Sequence, residues 1–179
     1  MVVVTLYYYF MTKLYFRYSS IYDRMLSSLS GEHFLDSLAQ EGDDFEKKIT
    51  AYWEKYNDQI FQYYKTLGLI LPEFWLAYPV HSKKSLIPFA DPLTFPMKDN
   101  LDGVVSTVVH ELCHVFFGYY ENTEACKKLW DPIMDKFSAE DRITQEHLPV
   151  IILTRAGLRH VFGVEKAEKL LDVEKHYEG

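Results

Sequence analysis

The sequence predicts an α+β fold forming one domain over residues 1–179. Three observations carry this. Runs of β-branched and aromatic residues, the chemistry of strands, are confined to its first half. Apolar residues at helical spacing recur along the rest of the chain. A length of 179 residues, 48 % hydrophobic and 25 % charged, is that of one globular unit able to bury a core.

Taken in order, residues 2–10 read as a strand, and Met11-Thr12-Lys13 turns the chain into a second extended segment, 14–18. Ile21, Met25, Leu26 and Leu29 have the spacing of a helix over 20–29, with Gly31 as its stop. Asp43 and Glu46 form a capping-box pair. Behind them Phe45, Ile49, Trp53, Tyr56, Ile60, Tyr64 and Leu67 line one face of a single long helix closed by Gly68. No chemistry is visible on that helix. Segments 74–78 and 85–87 are extended, and Pro88, Pro92 and Pro96 place residues 86–96 on a sheet edge or in a loop, because proline cannot donate to a ladder.

Asp99-Asn100 caps a helix reaching about Tyr120, and a shorter helix over 122–137 is disturbed at Asp131-Pro132. Thr144 reads as the N-cap of the next helix, with Pro149 near its first turn, where a missing N–H costs little. Gly163 ends that helix, and a charged helix over 165–177 follows.

Composition narrows the function. The formal net charge is −7 and the longest basic feature is Lys83-Lys84, so a nucleic-acid partner is not expected. No stretch reaches 18 apolar residues, and the apolar start lacks a basic leader, so a cytoplasmic protein without a membrane anchor is expected. Cys113 and Cys126 read as free thiols. The 14 Tyr and 12 Phe suit a packed aromatic core as well as cleft surfaces.

The segment His110-Glu111-Leu112-Cys113-His114 carries chemistry. Two histidines four apart on a helix share a face and reach one ion. Glu111 is rotated by about 100° from His110, which removes it from the coordination shell and lets it face a metal-activated water. The order is ligand, general base, ligand. Val104, Val105, Val108, Val109, Leu112 and Phe116 supply the helix's buried flank, with Thr107, His110, Glu111 and His114 toward its other side.

The segment Val108-Val109-His110-Glu111-Leu112-Cys113-His114-Val115 resembles the active-site helix of zincin metallopeptidases. Asp91-Pro92-Leu93-Thr94-Phe95 resembles the edge strand of small bacterial members of that class. The resemblance implies a small mixed sheet over the metal helix, with further helices after it. It also implies one Zn2+ per chain, and a peptide or protein substrate pairing with the edge strand beside the cleft. The metzincin continuation would need Gly at 117 and His at 120, where Phe117 and Tyr120 stand.

A gluzincin-like chain takes a Glu from a downstream helix, and Glu146 suits that, although Val150 stands where the thermolysin type has Asp. His147 competes for the same role, and neighbours on a helix point about 100° apart, so at most one of the two ligates, a site with no third protein ligand being the remaining alternative. Glu121 and Glu124 are more distant candidates. Arg159, His160, Tyr119 and Tyr120 are candidate stabilisers of a transition-state oxyanion. The expected function is zinc-dependent hydrolysis of peptide bonds, with Glu111 as general base. The alternatives are a zincin-fold metal-binding or regulatory module without catalysis, and an all-α interaction protein without metal. The sequence leaves the oligomeric state open.

Overall fold

The structure is a computed structural model. It describes residues 12–69, 71–81, 88–120 and 123–174, apart from the side chains of Tyr119, Tyr120, Ala125, Leu129, Glu146, Val173 and Glu174. The strands expected at 2–10 and 85–87 lie outside the described residues.

The order of elements is β1 (Lys13–Phe16), α1 (Ser20–Leu29), α2 (Leu38–Trp53), α3 (Asn57–Thr66), β2 (Phe74–Val80), β3 (Phe89–Ala90) and β4 (Leu93–Pro96). Then come α4 (Leu101–Tyr120), α5 (Glu124–Lys136), α6 (Arg142–Phe162) and α7 (Val164–Glu174). The fold is α+β. Among the described residues the strands form one mixed sheet in the order β1-β2-β4-β3. β1 runs parallel to β2, pairing Leu14 with Trp75, and β2 runs parallel to β4, pairing Pro79 with Phe95. β3 is antiparallel to β4 and forms the edge.

The prolines bracket β4 rather than interrupt it. Pro92 lies in the turn between β3 and β4, and Pro96 ends β4, so neither removes a donor from the middle of the ladder. The segment Leu93-Thr94-Phe95 is therefore an inner strand, fully covered, and the edge beside it is Phe89-Ala90.

The long helix expected over 43–67 is two. α2 begins at Leu38, five residues before the expected cap, and the chain breaks between Trp53 and Asn57. At the break, Asn57 Oδ1 accepts from Trp53 Nε1 (2.9 Å) and from the backbone N of Leu14 (3.2 Å). Asn57 Nδ2 donates to the carbonyl of Thr12 at 3.1 Å. One buried amide thus satisfies the edge of β1, and short-range patterning cannot anticipate a partner 43 residues away. Most of the expected apolar face holds on both pieces, with Ile49, Trp53, Ile60 and Tyr64 buried, whereas Leu67 at its end is exposed.

α1 has the expected bounds and turns its polar side inward. Ile21 is 83 % and Leu29 78 % exposed, while Asp23 and Ser27 are buried. The anchor is polar: Asp23 accepts the backbone N–H of His81 at 3.1 Å and pairs with its Nδ1 at 2.7 Å. Tyr22 adds a bond to Thr94 Oγ1 at 3.0 Å. A buried carboxylate must keep its partners, and this requirement overrides the burial preference of Ile21 and Leu29.

Gly31, Gly68 and Gly163 take φ of 69°, 84° and 76° at three helix ends, where side-chain-bearing residues would be strained. α4 lies at the centre, packed against α2, β3, β4, α6 and α7. Val104, Val105, Val108, Val109 and Leu112 are fully buried, as are Phe95, Phe61 and Trp53 around it. Each such side chain contributes about 1.5–3 kcal/mol by leaving water. No helix among the described residues is long and apolar enough to cross a membrane.

Candidate metal centre

α4 starts as expected. Asn100 caps it, its carbonyl accepting from Val104 N at 3.0 Å and its Oδ1 from Gly103 N at 3.3 Å. What differs is the environment of its polar side. Thr107 and Glu111 are buried along with the valines, Glu111 being 5 % exposed, so neighbouring elements cover nearly the whole circumference of the helix. His110 and His114 are half-buried, one turn apart.

α6 begins one turn before Thr144. Asp141 is the N-cap: its carboxylate accepts from Thr144 N at 3.0 Å and from Thr144 Oγ1 at 2.7 Å. Pro149 consequently lies inside the helix rather than in its first turn. The early start also gives His147 a complete turn behind it, and its Nδ1 donates to the carbonyl of Ile143 at 2.9 Å. A carbonyl only accepts, so the proton is on Nδ1 and the Nε2 lone pair is left available.

α4 and α6 pack against each other and bring three imidazoles together. His110 Nε2 and His114 Nε2 are 3.1 Å apart. The ring of His147 lies 4.8 Å from that of His114, at 83°, and 6.2 Å from that of His110, nearly parallel at 23°. Among the described residues these three form the one group of His, Cys, Asp or Glu able to hold a metal ion, with donor atoms within 4.8 Å of one another. Two nitrogens sharing a tetrahedral zinc at ~2.0–2.1 Å stand about 3.3 Å apart, so the α4 pair already has that spacing. Closing the widest separation takes up to ~1.5 Å, within reach of side-chain rotation.

Burial, and then the neighbouring imidazoles, lower the pKa of His110 to about 4. His114 is lowered to about 4 by burial and then by His147. Both are neutral at physiological pH, the form in which imidazole binds metal.

The other sequence candidates separate. Glu146 is on α6 beside His147, and its side chain lies outside the described part of the molecule, as do those of Tyr119 and Tyr120 and the whole of Glu121. Glu124 opens α5 and is not in the histidine group. Arg159 pairs with Glu168 at 2.7 Å, and His160 stacks on Tyr63 at 4.6 Å. They follow His147 along α6 by about 18–20 Å at the helical rise, so neither serves an oxyanion at the histidine cluster.

Tyr64, which the sequence places only on the apolar face of a helix, reaches the segment between the two α4 histidines. Its hydroxyl contacts Cys113 Sγ and donates to the carbonyl of Leu153, each at 3.1 Å. The signal available in the sequence was a tyrosine, rather than a phenylalanine, at a buried helical position, since a buried phenol needs a partner. Compared with known proteins, the chain matches no family model, and no curated protein or solved structure is significantly similar to it.

Proposed function

We propose that this chain is a zinc-dependent metallopeptidase of zincin type, a single domain over residues 1–179 that holds one Zn2+ and hydrolyses a peptide or protein substrate. The observation that carries the reading is the convergence of His110, His114 and His147 from two helices, beside a Glu in the general-base position of the motif. The mixed sheet beside α4, with its antiparallel edge strand β3 next to the same helix, agrees with the architecture that the motif's resemblance implies.

The donor set fits zinc. Three imidazoles supply borderline nitrogen donors, and His147 has Nε2 to offer because Nδ1 is engaged with Ile143. In this reading His147, rather than Glu146, is the third protein ligand, which departs from the gluzincin pattern. Zinc, when bound, supplies Lewis acidity and an acidified water. Glu111 would act as the base that accepts a proton from that water and passes it to the leaving amine, its buried position limiting competition from bulk solvent.

Elemental analysis of protein purified without chelators, together with cleavage of a mixed peptide library, tests this. One zinc per chain and chelator-sensitive cleavage are expected. Absence of metal sinks the reading. Tightly held zinc without hydrolysis would instead make the chain a metal-binding module.

A further inference from the structure

The phenol of Tyr64 is wedged between the two helices that carry the histidines. The residue is fully buried on α3, its ring 5.1 Å from that of Phe116 on α4. Its hydroxyl meets Cys113, which lies between His110 and His114 in the chain, and the carbonyl of Leu153, six residues beyond His147 on α6. The space for the phenol exists because residue 157 is glycine. A Cβ there would stand 2.2 Å from Tyr64 Oη, 2.8 Å from Cζ and 3.4 Å from Cε2. The first two separations are well inside van der Waals contact, so α6 can lie at its observed distance only without that carbon.

Building on the metal reading above, we propose that Tyr64 and Gly157 are positioning residues for the metal centre. The hydroxyl and the missing Cβ together fix the spacing of α4 and α6, and with it the approach of His147 to His110 and His114. The wedge meets α4 at Cys113, beside His114, and α6 at Leu153 and Gly157, about two to three turns beyond His147, so a displacement there changes how the two histidine-bearing helices face each other. Metal sites lose affinity when their supporting contacts are removed, commonly by ~10–100-fold. A tyrosine serving only as core would change stability and leave the site alone.

Zinc affinity and the visible spectrum of the Co2+-substituted protein distinguish these roles in wild type, Tyr64→Phe, Gly157→Ala and the double variant. A core control, Ile49→Val on α2, is measured beside them. Tyr64→Phe keeps the ring and removes the two hydroxyl contacts, and zinc affinity is expected to fall about 10-fold, within the range for supporting contacts. Gly157→Ala should lower it further and alter the Co2+ bands. Adding Tyr64→Phe to Gly157→Ala removes the 2.2 Å overlap with oxygen, so the double variant should bind zinc more tightly than Gly157→Ala alone. Ile49→Val should lose stability with unchanged affinity and spectrum. Wild-type affinity and spectrum in both single variants, with only the melting temperature lowered, would overturn the positioning role while leaving the metal site standing. A wild-type protein that binds neither zinc nor Co2+ would overturn the metal reading, and the positioning role with it. If Gly157→Ala does not fold, Tyr64→Phe alone decides.

Discussion

His147 donates its Nδ1 proton to the carbonyl of Ile143, one turn back on α6, at 2.9 Å. That bond selects the tautomer that leaves the Nε2 lone pair open to a metal, and it exists because Asp141 starts the helix a turn before Thr144. His147→Ala should therefore weaken zinc binding by more than the ~10–100-fold typical of outer contacts, and Glu146→Ala by less. Competition titrations with a chromophoric chelator, run on both variants, give the comparison. A larger loss in Glu146→Ala would reassign the third ligand.

Glu111 is buried on the same helix as two of the histidines. Glu111→Gln preserves its shape while removing its basicity. Zinc content should stay at the wild-type value while peptide cleavage drops by ~10²-fold or more. Unchanged turnover in that variant would place the base elsewhere.

Cys113 lies in the motif yet belongs to the core. Burial pushes its thiol up to about 12 from 9.0. Iodoacetamide at pH 8.5 should label the native protein at Cys126 and spare Cys113, with both labelled in urea, as peptide mapping would show. The sign of the pH dependence follows from the raised folded value. The stabilisation from keeping this proton is complete below about pH 9 and is lost as the pH climbs toward 12. Tyr64, raised by burial too, acts in the same direction. The urea midpoint should fall between pH 8 and 10.5, less steeply in Cys113→Ala.

Asn57 is the join between α2, α3 and β1. Asn57→Ala strands the N–H groups of Leu14 and Trp53 and the carbonyl of Thr12. At ~1–3 kcal/mol per buried unsatisfied group, the variant should lose about 3 kcal/mol or more. Urea unfolding followed by tryptophan fluorescence measures it. A loss below ~1 kcal/mol would mean that water replaces the amide.

Much of the fold was legible where the cause is local. The helix over Ser20–Leu29, the start of α4 at Asn100 and the glycine stops at 31, 68 and 163 follow from spacing, capping and positive φ, which depend on neighbours a few residues away. The break at Asn57, the inward turn of Asp23 and the inner place of β4 were not legible. Each depends on a hydrogen-bond partner or a strand supplied from elsewhere in the chain. Periodicity shows that a helix has two faces, and only the groups available to satisfy them decide which face goes in.

The candidate site divides in the same way. The sequence by itself determined the spacing of His110, Glu111 and His114, because an α-helix brings residues four apart onto one side whatever surrounds it. It could also narrow the third position to Glu146 or His147, neighbours on one later helix. Only the tertiary structure decided that His147 meets the first two histidines, through the packing of α6 on α4 and the tautomer held by Ile143. The spacing of those helices comes in turn from a phenol on a third helix and an absent carbon at Gly157. Contacts between residues so distant in sequence arise from three-dimensional packing, and no local periodicity encodes them.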